Sequence, residues 1–140
     1  MKYILLIMLL AFFKTSSGQT IIGTITDGLP LITNHEEVRK FVHKWTGAAS
    51  GAATFRLEWI DEEKSYFLVA NLDMRNYGYS VSVMGSQIMT KASNIIEITC
   101  MGMQGCQECE MNQNNCICLN QNTDGYCIRN RRVLLAAPQD

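Results

Sequence analysis

All six cysteines of the chain fall between Cys100 and Cys127, with the spacing Cys100-x5-Cys106-x2-Cys109-x6-Cys116-x-Cys118-x8-Cys127. Between them stand Asn112, Gln113, Asn114, Asn115, Asn120, Gln121 and Asn122, and few large apolar residues. Ordering each residue costs about 1–2 kcal/mol of backbone entropy. A segment this polar has too little apolar surface to offset that, so covalent or metal staples must hold it. Six cysteines allow fifteen pairings, and excluding local Cys106–Cys109 and Cys116–Cys118 bonds leaves ten, so the spacing fixes no connectivity.

The N-terminus bears on which staple is used. Met1-Lys2 precedes an unbroken apolar run from Ile4 to Phe13, too short to span a bilayer. Ser16 and Gly18 then place small residues where a signal peptidase requires them, which predicts cleavage before Gln19 and a secreted or periplasmic product. Disulfides form in such compartments, so all six cysteines are disulfide candidates. The rival is a thiolate metal site of Cys106, Cys109, Cys116 and Cys118. A redox role for Cys106-Gln107-Glu108-Cys109 is disfavoured by Glu108, whose charge opposes a lowered thiol pKa. Met101, Met103 and Met111 are soft enough for Cu(I) but read more simply as flexible core filler.

Without residues 1–18 the chain carries ten Lys and Arg against thirteen Asp and Glu, a net charge of −3. That balance gives no overall drive toward nucleic acid or an anionic membrane. Residues 20 to 31 are β-prone and broken by the turn former Asp27-Gly28 and by Pro30. Asn34 and Glu37 form a capping-box pattern ahead of Val38, Phe41, Val42 and Trp45, an apolar helical stripe that Gly47 ends. Gly47 to Ala52 reads as a flexible connection.

From Ala53 the period changes to two. Phe55, Leu57 and Trp59 define a half-buried strand, Asp61 to Lys64 a polar turn, and Ser65 to Leu72 a strand apolar on both faces. Tyr77, Tyr79, Val81 and Val83 predict a third strand, and Ile96, Ile98 and Cys100 share one face of a fourth, which turns Cys100 into the core. The predicted fold is α+β: one helix on an antiparallel sheet of about four strands, followed by an irregular cysteine-rich module. The predicted units are a signal peptide (1–18), an α+β core (19–99) and the cysteine-rich module with its tail (100–140).

Two resemblances add to this. Gly23 to Leu31 (GTITDGLPL) resembles the opening of the carboxypeptidase regulatory-like β-sandwich, although the helix that follows departs from that family's strands. The motif ITCMGMQGCQECEMNQNNCICLNQNTDGYC, with the layout before it, resembles short secreted bacterial proteins of unassigned function with a C-terminal six-cysteine cluster. That resemblance implies compartment and architecture, and no activity.

No nucleophile motif, zinc-protease motif or phosphate-binding glycine loop is present, and His35 and His43 are the only histidines. The carboxylates Asp61, Glu62 and Glu63 fit a charged turn better than acid–base work. The expectation is a non-enzymatic binding protein without cofactor, with an unknown protein or glycan ligand outside the cytoplasm, no nucleic acid and no stable membrane anchor. The alternative is a metal-binding or thiol-redox module. Arg129, Arg131 and Arg132 form the one basic cluster and are candidate contacts for an anionic partner.

Overall fold

The computed structural model describes residues 18–47, 53–72, 75–120 and 124–136. The expected leader up to residue 17 and residues 48–52 of the predicted connection lie outside these. Among the described residues no helix is long and apolar enough to cross a membrane.

β1 (Ile21–Thr26) and β2 (Leu29–Ile32) form a hairpin around Asp27 and Gly28, both at positive φ, the backbone state a tight turn requires. Helix α1 (His35–Thr46) begins where expected: the Asn34 side chain accepts a hydrogen bond from the Glu37 amide at 3.3 Å. It ends at Gly47 in the left-handed conformation, whose amide donates to the His43 carbonyl at 2.8 Å. β3 (Thr54–Ile60) and β4 (Ser65–Leu72) pair across the Asp61–Lys64 turn.

β5 (Arg75–Ser80) pairs with β4, but the alternation predicted to run on through Val83 spans two sheets. The amide of Val81 bonds the Tyr66 carbonyl at 3.0 Å, and the chain then enters β6 (Ser82–Met84), which turns at Gly85 into β7 (Gln87–Met89). β8 (Ser93–Met103) returns beside β5. The predicted irregular module contains the hairpin of β9 (Cys109–Asn112) and β10 (Asn115–Cys118), and then β11 (Tyr126–Ala136), which pairs with β8 along its length.

The result is α+β with more sheets than the one predicted: a five-stranded sheet β11-β8-β5-β4-β3, a four-stranded sheet β2-β1-β7-β6, and the β9–β10 hairpin, all antiparallel. The five-stranded sheet is buried on both faces at its centre. On one face Leu68, Ala70, Tyr79 and Ile95 meet Val38 and Val42 of α1 together with Ile22 and Ile88 of the smaller sheet. On the other, Phe67, Val69, Ile98 and Cys100 meet Cys106, Cys109 and Met111. This two-sided burial is why β4 reads as apolar throughout.

Directional bonds seat the β9–β10 hairpin on its face. The buried Asn76 side chain donates to the Cys109 carbonyl, Arg56 donates to the Met111 carbonyl, and the Gln113 amide donates to Glu58 at 2.7 Å. Gly78 makes room for this packing, since a Cβ there would lie 3.0 Å from the Met111 sulfur.

Candidate binding site

The cysteines pair Cys100–Cys116, Cys106–Cys118 and Cys109–Cys127, and none is free. The first bond ties β8 to β10 and the third ties β9 to β11, so two covalent links fasten the hairpin to the main sheet. Cys100 is fully buried, on the face it shares with Ile98. The four cysteines of the metal alternative are distributed over all three bonds. The sulfurs of Cys106, Cys109 and Cys127 do converge within 4.8 Å, but as two packed disulfides rather than as thiolates.

The arginine cluster also divides. Within the segment predicted as module and tail, β11 begins at Tyr126, so all three arginines lie in a strand. Arg129 pairs with Glu62 at 3.0 Å, and Arg131 makes a two-pronged pair with Glu63 whose longer bond is 3.0 Å. The turn carboxylates predicted as a charged loop thus clamp β11. Arg132 points to the opposite face and reaches Glu97 at 2.5 Å.

That face carries the site. Antiparallel register sets three rows of side chains across β5, β8 and β11: Tyr79–Glu97–Arg132, then Tyr77–Thr99–Asn130, then Arg75–Met101–Ile128. Arg75, Tyr77, Glu97, Thr99, Met101, Asn130 and Arg132 line an open cavity of about 310 Å³. α1 covers the neighbouring part of the face, where Phe41 meets Tyr79 edge-on at a ring separation of 5.5 Å.

Glu97 is 2 % exposed although it lines the cavity. Its Oε1 is held by Arg132, while its Oε2 and the Tyr79 hydroxyl are both shut off from solvent, the phenol beside the carboxylate. Burial, then the charge of the neighbouring Glu97 carboxylate and a hydrogen bond toward it, push the Tyr79 phenol above the ordinary phenolic range, so it stays protonated. Tyr77 stacks on Tyr79 with rings 6.2 Å apart and 4° from parallel.

Sequence reasoning read Ile96, Ile98 and Cys100 on one face of β8 and passed over the other. The signal was there: Glu97 interrupts the apolar run Ile95-Ile96-Glu97-Ile98, which marks a carboxylate facing a core or a ligand.

No family model, no curated protein and no solved structure matches the chain.

Proposed function

We propose that the protein is a small secreted binding protein, non-enzymatic and stabilised by its three disulfides, that takes a polar ligand in the Glu97 groove. The observation that carries this reading is the open cavity across β5, β8 and β11, where the Arg75 and Arg132 guanidinium groups stand beside Tyr77, Thr99 and Asn130. A binding site keeps a few polar groups available for its ligand, and Arg75 has no ion pair among the described residues.

Two further features support it. The three disulfides suit an oxidising compartment. They also fix the face of the sheet opposite the groove, which keeps β5, β8 and β11 in place before a ligand arrives, and a preorganised site loses less entropy on binding. Neither His35 nor His43 lines the groove, so a nucleophile–base pair is not what it offers.

Amide chemical-shift mapping on the oxidised chain tests the reading. Panels of sugars, amino acids and short peptides are titrated, and compounds that bind should shift the amides of Tyr77, Thr99 and Asn130. Compounds that bind and shift only residues of the β9–β10 hairpin or of α1 would place the function elsewhere.

A further inference from the structure

We propose that the partner is an extended acidic peptide, which adds as a sixth strand along the open edge of β11 and lays its carboxylates over the groove face. It rests on the binding reading above, whose polar face the carboxylates meet, and names the class of ligand.

The open edge is the first observation. β11 is the outermost strand of the five-stranded sheet and pairs only with β8. In an antiparallel ladder every second residue turns its N–H and C=O toward the neighbour, and the others turn theirs away. Among the described residues no backbone hydrogen bond reaches β11 from that outer side. The strand is 11 residues long, about twice the usual length, whereas exposed edges are ordinarily short or covered. Asn130, Arg131, Arg132 and Val133 are exposed in succession, so both faces of the strand are open there. Such an edge is a template for an incoming strand, whose main chain supplies affinity and whose alternate side chains supply specificity.

Charge selects the peptide. The side chains of Arg131 and Arg132 are 43 % and 66 % exposed, against 8 % and 3 % for their partners Glu63 and Glu97, so the edge presents guanidinium groups with the carboxylates behind them. Arg132 bonds Glu97 through Nε, and its two terminal nitrogens have no partner among the described residues. They can take a second carboxylate. Arg75, without an ion pair among the described residues, adds to the positive charge of the same groove. A second copy of this chain fits badly. Antiparallel pairing of two β11 edges through their middle would set Arg131 and Arg132 against their equivalents, and like charges opposite one another destabilise a strand pair.

Alternation sets the pattern of the peptide. Asn130 and Arg132 line the groove, while Leu134 packs in the helix-side core, which turns Val133 and Leu135 to the other face. Both of these apolar side chains are exposed. A strand with acidic side chains on one face and apolar side chains on the other answers both.

The test uses the oxidised, isotope-labelled full chain and a blocked octapeptide of alternating glutamate and valine, beside its lysine–valine counterpart and a form with every peptide nitrogen methylated. The glutamate peptide should shift the amides of Arg129 to Leu135, slow hydrogen exchange at the outward-pointing ones, and bind roughly tenfold more tightly than the lysine peptide. The methylated form should lose binding, because it has no N–H to pair. Asn130→Asp and Leu135→Glu should each weaken the glutamate peptide roughly tenfold with the melting temperature unchanged, since both side chains are exposed. Absence of binding by the glutamate peptide, or equal binding of the lysine peptide, would overturn the inference. Binding that survived methylation would overturn the added strand, and shifts confined to Tyr77 and Thr99 would then leave the groove reading in place. A parent chain that sediments as a dimer, and as a monomer in Leu135→Glu, would assign the edge to a second copy and overturn it too.

Discussion

Gly102 on β8 forms the seat for Cys106: a Cβ at Gly102 would lie inside 3.0 Å of the Cys106 carbonyl oxygen. Gly125 closes in from the other side, where a Cβ would collide with the Cys106 amide nitrogen. The obstacles are backbone atoms, so no rotamer change relieves either clash. Gly102→Ala should cost about 3 kcal/mol or more, at or beyond the top of the usual overpacking range, and should lower the yield of the Cys106–Cys118 bond on oxidative refolding. Gly85→Ala is the contrast. Its φ is +61° with open space around it, so it should cost only about 1–2 kcal/mol, the penalty for a left-handed backbone. Thermal melts of the two variants check the order.

The Cys106 sulfur lies 3.5 Å from that of Cys127 and 3.8 Å from that of Cys109. In Cys118→Ser, the Cys106 thiolate should attack the Cys127 sulfur, forming Cys106–Cys127 and releasing Cys109 as a thiolate. Peptide masses from that variant should show a mixture of Cys109–Cys127 and the exchanged bond, with a fraction that grows with pH. A single stable Cys109–Cys127 species at alkaline pH would contradict the packing of the two disulfides.

How much of this was legible along the chain depends on the range of the interaction. The Asn34 cap, the Val38–Val42 stripe and the Gly47 stop are local, and the helix follows them. The two-sided apolar run of β4 and the facing of Cys100 are also local patterns, and both describe the sheet as it stands. The switch of sheets at Val81 was hidden because the alternation of Tyr77, Tyr79, Val81 and Val83 continues through it; only the bond from Val81 to Tyr66 breaks the strand. β7 is three residues long, too short to show a period. Arg129, Arg131 and Arg132 read as a tail because their carboxylates, Glu62, Glu63 and Glu97, are 67, 68 and 35 residues away. The site was missed for the same reason. Glu97 meets Arg132 and Tyr79 only once β11, β8 and β5 are in register.

Removing Arg132 tests whether Glu97 is the charged centre of that face. Arg132 is 66 % exposed at its side chain, so its own burial contributes little, but its loss leaves the Glu97 carboxylate buried without a countercharge. Arg132→Ala should cost about 1–3 kcal/mol. Arg129→Ala, which breaks a pair with an exposed Glu62, should cost about 0.2–1 kcal/mol. Urea unfolding of both variants gives the comparison, and equal costs would mean that Glu97 is solvated.

Stability should fall on acidification, in part through Glu63. Hydrogen bonds from Arg131, and then its charge and that of Arg129, hold the Glu63 carboxyl below the ordinary glutamate value. Because the folded pKa is the lower one, the stabilisation is fully present above the unfolded value of about 4.3 and is lost as pH falls through the folded one. Melting temperatures from pH 6 down to ~3 should drop less steeply in Glu63→Gln than in the parent. Identical slopes would remove this pair from the acid response.

The covalent cap is the premise of both the fold and the groove, and the masses of peptides cut from the unreduced chain test it most directly. Cleavage after Glu108 and Glu110, before Asp124, before Ile117 and at Met101 and Met103 separates all six cysteines. The expected cross-linked peptides join Cys100 to Cys116, Cys106 to Cys118 and Cys109 to Cys127. Local Cys106–Cys109 bonds, or six free thiols with a metal released by a chelator, would contradict it and return the cysteines to thiol or metal chemistry.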